Sequence, residues 1–186
     1  MSAIKSVTVY CGSSSGVNPA NVDLARKLGV AIAKRGWRLV YGGGNVGLMG
    51  QCSSAANAAG GKVLGVMPYF LKEIEGTNGD IEHWFVDTMQ ERKKILLDEA
   101  DAFVVLPGGI GTLEEAVENL SWSKLSLHRK PMAFLSEDGY WAPFFVLMDH
   151  IIQGGFSPES MMHLIADTST PEQALDELVK RVLVLG

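Results

Sequence analysis

Six short runs in this chain, at 7–10, 37–41, 62–67, 84–86, 102–106 and 131–135, are apolar almost throughout, and segments of helical spacing lie between them. A strand with one wet face alternates apolar and polar residues. These runs do not, so both of their faces must be covered. Strands covered on both faces and separated by helices are joined by right-handed crossovers, each of which lays a helix on the sheet. The pattern predicts an α/β fold, Rossmann-like and doubly wound, with a mainly parallel sheet and helices on both faces. At 186 residues the chain fits a single domain spanning 1–186.

Local signals sharpen the order of elements. Asn18-Pro19 supplies a cap and a first-turn proline, after which Val22, Ala25, Leu28, Gly29 and Ile32 follow helical spacing up to Gly36. Further helices are predicted to about Ala59, over 89–99, over 111–125, over 141–152 and over 171–183. Residues 164–166 are read as an added edge strand. The stretch from Pro68 to Gly79 reads as looser chain; its part from Glu73 onward is either a plain connection or a lid at a strand's carboxyl end.

Several function classes are disfavoured. The net charge is −5 and no long basic run occurs, which argues against nucleic acid as the main partner. No apolar run approaches the roughly 20 residues of a bilayer-spanning helix, and the start of the chain, Met1 to Lys5, lacks the pattern of a secretory signal. A cytoplasmic location with no membrane partner is therefore expected. Cys11 and Cys52 form no CxxC pair and read as small packing residues. His83, His128, His150 and His163 lack HExxH spacing, so no metal is expected. A small anion remains plausible as a ligand, and Arg92-Lys93-Lys94 is the concentrated positive site to receive one.

Two glycine loops fall at carboxyl ends of predicted strands, where an open parallel sheet places its ligands. The first, Gly42-Gly-Gly-Asn-Val-Gly47-Leu-Met-Gly50, contains GxGxxG. A dinucleotide site would add an acid about 20 positions on, at the end of the next strand; here that place reads Gly65-Val-Met-Pro68, so NAD or FAD is disfavoured. Close packing of backbone is the bland alternative. The second loop, Pro107-Gly-Gly-Ile-Gly-Thr112-Leu-Glu-Glu115, opens a helix whose N-terminus, glycine backbone and Thr112 hydroxyl suit a phosphate. It lacks the lysine of an ATPase loop. Glu115 falls about one turn farther on, near the sugar of a nucleotide anchored there, and suits a catalytic base. Glu114 and Glu118 read as a solvated helix face.

Taken together, the first loop, Met89-Gln-Glu-Arg92-Lys93 and the PGGxGTxxE stretch ending at Glu115 resemble the LOG, or lonely guy, family of cytokinin-activating phosphoribohydrolases, often catalogued as lysine-decarboxylase-like. The match runs in order from Cys11-Gly-Ser-Ser14 to His128-Arg-Lys-Pro131. The resemblance implies a nucleotide-binding domain that cleaves the N-glycosidic bond of an adenine-type nucleoside 5′-monophosphate, with no cofactor, as a homodimer. It implies Arg92 and Glu115 as the catalytic pair. Substrate binding then falls to Glu73, Met89, Lys93, Gly108, Gly109, Ile110, Gly111, Thr112, Gly43, Gly44 and Ser121. Arg92 is expected to lower the pKa of Glu115 and keep it ionised. The chain departs from the family between Phe70 and Val86, and Ser121 stands where threonine is common; both bear on base preference. A non-catalytic nucleotide or cofactor carrier on the same fold is the alternative, while a pyridoxal-phosphate decarboxylase would need a Schiff-base lysine that nothing marks. Leu120, Trp122, Leu125 and Leu127 are available either to the core or to a partner subunit.

Overall fold

Each strand sends successive side chains to opposite faces, and in the central strands β2, β3, β5 and β6 both sets are largely apolar. In β5 (Ala102–Val105), Ala102 and Val104 join one core layer while Phe103 and Val105 join the other. The computed structural model describes residues 4–185, so Met1 to Ala3 of the stretch read as lacking a secretory signal lie outside the described residues. Before β5 come β1 (Ser6–Tyr10), α1 (Ala20–Lys34), β2 (Arg38–Tyr41), α2 (Gly47–Ala58), β3 (Val63–Pro68), α3 (Tyr69–Glu75), β4 (Glu82–Val86) and α4 (Met89–Asp98). After it come α5 (Ile110–Lys124), β6 (Met132–Leu135), α6 (Ala142–Gln153), a 3-10 turn (Glu159–His163), β7 (Ile165–Thr168) and α7 (Pro171–Leu185).

The strands form one sheet in the order β4-β3-β2-β1-β5-β6-β7, and every pairing is parallel. Side chains of α1, α2 and α7 pack on one face; those of α4, α5 and α6 pack on the other. The chain winds outward from β1 to β4 on one side and from β5 to β7 on the other. Strand order therefore reverses between β1 and β5, and the crevice beyond their carboxyl ends is where such a sheet opens to ligands.

Helices α1 and α2 approach closely because position 29 carries no side chain: a Cβ there would lie 2.2 Å from the Cys52 carbonyl oxygen. The expected edge strand at 164–166 is present as β7, paired with β6 from Met132↔Ile165 to Leu135↔Thr168. The stretch from Pro68 to Gly79 is more ordered than its sequence implies. It contains α3, none of whose residues is buried, so it has no apolar stripe by which to be read. Backbone bonds from the Asn45 N–H to the carbonyls of Glu75 and Gly76, and a side-chain bond from the Asn78 carboxamide to the Ser54 hydroxyl, tie this stretch down. Among the described residues, no helix is long and apolar enough to cross a membrane.

Candidate active site

The β5–α5 connection brings a helix N-terminus to the crevice. Gly109 caps α5 with no side-chain hydrogen bond, so the amides of the first turn remain available to an anion. A Cβ on Gly109 or Gly111 would meet nothing within 4 Å, whereas one on Gly108 would strike Thr112, which is buried beneath the loop. Ile110 is 82% exposed and does not line the cavity that its neighbours form. Gly109, Gly111 and Thr112 line a cavity of about 140 Å³ together with Glu75, Arg92 and Glu115.

Arg92 reaches this cavity because α4 starts where it does. Thr88 accepts a hydrogen bond from the Glu91 N–H, and the Glu91 carboxylate accepts one from the Thr88 N–H, a reciprocal cap that sets the first turn. Arg92 follows directly and is 7% exposed. Its Nε donates to the Val66 carbonyl at 3.2 Å and its Nη2 to the Gly42 carbonyl at 3.1 Å. Its Nη1 faces Glu115 Oε1 at 3.8 Å and the Met89 sulfur at 3.9 Å. Two of its donors thus hold the carboxyl ends of β2 and β3, and the third nitrogen faces the acid.

Glu115 is braced from below. The Asn119 side-chain amide donates to the Glu115 carbonyl at 2.8 Å and to the Tyr10 hydroxyl at 2.9 Å. Burial pushes the Glu115 carboxyl up to about 7 and outweighs the opposing pull of Arg92. The expectation that Arg92 would hold this pKa down is corrected in its net direction. At 3.8 Å and without direct hydrogen bonding, the guanidinium recovers less than desolvation costs the carboxylate.

Other expected residues are distributed unevenly. Glu73 is exposed, and it is Glu75, two residues on, whose carboxyl enters the cavity; its Oε2 is buried without a hydrogen-bond partner. Burial raises the Glu75 pKa, partly offset by Arg92. Lys93 does not line the cavity, since its ammonium bonds Glu114 at 2.8 Å and Glu118 at 2.9 Å. Those two acids are therefore partners of Lys93 and not merely a solvated face. Ser121 is exposed and lies outside the cavity wall. In the first glycine loop Gly42 lines the cavity, while a Cβ on Gly43 would meet Met67 at 2.9 Å and one on Gly44 would meet the Glu75 carboxylate at 2.6 Å. Glu75 was legible only as one of two acids beyond β3; the end of α3 chooses between them. Ser13, also on the wall, falls in the Cys11-Gly-Ser-Ser14 stretch that opens the family match but is not among the expected binding residues, and Tyr10 carries no sequence signal beyond its place in the first strand.

Comparison with known proteins bears on this geometry. A family model described as possible lysine decarboxylase matches residues 49–178. The probable cytokinin riboside 5′-monophosphate phosphoribohydrolase LOGL2 of Oryza sativa subsp. japonica is 41% identical over 180 residues, covering 95% of this chain and 73% of the relative. The cytokinin riboside 5′-monophosphate phosphoribohydrolase LOG7 of Arabidopsis thaliana is 40% identical, covering 95% and 82%. Among solved structures, the molybdenum cofactor carrier protein MCP of Chlamydomonas reinhardtii superposes with a TM-score of 0.74 at 20% identity over 97% of this chain and 99% of that one, a likeness of fold. With about two-fifths of its residues shared with these plant proteins over nearly its whole length, the chain belongs to the LOG family of phosphoribohydrolases.

Proposed function

We propose that this protein hydrolyses the N-glycosidic bond of adenine-type nucleoside 5′-monophosphates, a cytokinin riboside 5′-monophosphate or AMP, to the free base and ribose 5-phosphate. One observation carries the reading: the buried Arg92–Glu115 pair and the open amide end of α5 face the same small cavity. The phosphate takes the amides of Gly109 to Thr112, which sets the ribose one helical turn along, beside Glu115. As the C1′–N bond breaks, its electron pair leaves with the base and the sugar becomes oxocarbenium-like. Glu115 stabilises that charge and takes a proton from the attacking water, whose oxygen bonds C1′; the leaving base is protonated in turn. A carboxyl titrating at about 7 is well matched to such work at neutral pH. Arg92 positions the ribose, and Glu75 is placed to accept from a ribose hydroxyl. No cofactor enters this scheme.

Incubation with AMP and with isopentenyladenosine monophosphate, following base and ribose 5-phosphate by chromatography, tests the proposal. Glu115→Gln is expected to lower kcat by about 10³-fold while nucleotide affinity stays within about tenfold. Binding without release in the native protein would instead favour a nucleotide carrier. The working form is a cytoplasmic homodimer. Leu125 and Leu127 at the end of α5, with Val146 and Leu147 on α6 and Phe156 beyond it, are exposed apolar side chains that a second subunit can cover, whereas Leu120 is in the core. Light scattering that returns a monomer mass would overturn the dimer.

A further inference from the structure

His83 stands on the edge strand β4 and is not part of the cavity wall, yet its ring reaches the loop that holds Arg92. In the sheet register Tyr41 on β2, Gly65 on β3 and His83 on β4 lie in one row. Side chains in such a row share a face of the sheet, and here the middle one is missing. A Cβ on Gly65 would lie 2.6 Å from the His83 ring and 2.9 Å from Gly43 Cα. The bare position on β3 lets the imidazole lie across that strand and lets the glycine loop come down beside it.

The ring is held at both ends. Nδ1 lies 2.8 Å from the Ile81 carbonyl oxygen and Nε2 lies 3.0 Å from the Gly43 carbonyl oxygen. A carbonyl only accepts, so the bond to Gly43 needs the hydrogen on Nε2; the Ile81 contact is a hydrogen bond as well whenever Nδ1 is protonated too. The Tyr41 hydroxyl donates to the same Gly43 oxygen at 3.4 Å, and the Phe85 ring stacks on the imidazole with centroids 6.1 Å apart.

What these bonds fix is the freest stretch of the chain. Gly42, Gly43 and Gly44 are consecutive, Gly43 has φ of 87°, and glycine loses more conformational freedom on ordering than any other residue. The Gly42 carbonyl belongs to the peptide unit next to the one that His83 holds, and it accepts from Arg92 Nη2 at 3.1 Å. We infer that His83 is a positioning residue for the reaction: by fixing the Gly43 carbonyl through Nε2–H, it sets the Gly42 peptide that aims Arg92 at Glu115. This role rests on the hydrolase reading of the cavity. His83 does not touch the α5 loop, so it acts on the geometry of the Arg92–Glu115 pair and not on the hold on phosphate.

Two amide side chains at position 83 separate the ends of the clasp. An asparagine amide takes the place of Nδ1 and falls short of Gly43, whereas a glutamine amide takes the place of Nε2 and reaches it. His83→Asn is expected to lower kcat for AMP about tenfold with KM within about twofold of wild type, while His83→Gln recovers most of the loss. Arg92, less firmly held, is expected to react with phenylglyoxal about threefold faster in His83→Asn than in wild type, read by peptide mass spectrometry, as follows from loss of one hydrogen bond. Should His83→Asn fold poorly by circular dichroism, His83→Phe, which keeps a ring against Phe85, takes its place. Arg92 modified no faster in the folded variant than in wild type, or a glutamine that recovers nothing, overturns the role. Wild type that releases no base sinks the hydrolase reading instead, and the Arg92 modification rates then decide the clasp by themselves.

Discussion

The two glycine loops look alike in sequence and serve opposite ends. In the loop after β2, glycines stand where side chains would collide with protein: a Cβ on Gly47 would lie 2.3 Å from the Ser13 backbone, and one on Gly42 would lie 2.0 Å from Arg92 Nη2. In the loop after β5, Gly109 and Gly111 face open space. The first loop uses its glycines to let chain segments touch each other; the second leaves room for something that is not protein. The GxGxxG spelling identifies neither role. What distinguishes the loops is which segments fold back on them.

Substitution by alanine separates the two. Gly47 has φ of 56°, and Ala there meets backbone on top of a left-handed conformation, so Gly47→Ala is expected to cost on the order of 4 kcal/mol in urea denaturation. A neutral result would remove the packing role of the first loop. Next in size is an effect of Glu115 on stability. Its folded pKa of about 7 lies above the ordinary 4.5, so its favourable contribution is complete below about pH 4.5 and is lost as pH rises toward 7. The stability of Glu115→Gln relative to wild type should therefore grow by about 3 kcal/mol between pH 4 and pH 8; denaturation curves that stay parallel would show that the carboxyl is not buried as described. In catalysis the same pKa makes kcat/KM rise with pH through about 7 and then level off, as the base form is gained.

Smaller still, Gly109→Ala should change stability by only about 0.5 kcal/mol while weakening AMP binding about tenfold, read by calorimetry. Unchanged affinity would mean that the phosphate does not lie against Gly109. The least effect belongs to Glu73: Glu73→Gln should leave KM for AMP within about twofold, whereas Glu75→Gln should raise it about tenfold through loss of a hydrogen bond to charge. Equal effects would erase the distinction drawn between the two acids at the end of α3.

Much of the architecture was legible beforehand. Strands apolar on both faces, with helices between them, imply a covered parallel sheet. Glycine after a strand and before a helix marks a carboxyl-end loop wherever it occurs. β7 could be placed from three residues because Leu164, Ile165 and Ala166 precede a clear helix. α3 could not, for it buries none of its residues and so leaves no period. The candidate site was legible as Arg92 and Glu115, whose motifs are local, and less so in its surroundings.

What the sequence determined alone is what depends on neighbours along the chain: strand and helix periods, the cap that starts α4, the free amides that start α5. Tertiary structure decided where each charge is spent. Arg92 bonds a carbonyl 50 residues away, Lys93 turns to acids on α5, and Glu75 enters the cavity in place of Glu73. Such outcomes depend on which groups lose water together. Desolvation is set by packing across the sheet, so the net direction of the Glu115 pKa, up and not down, emerged only when the layers closed over it.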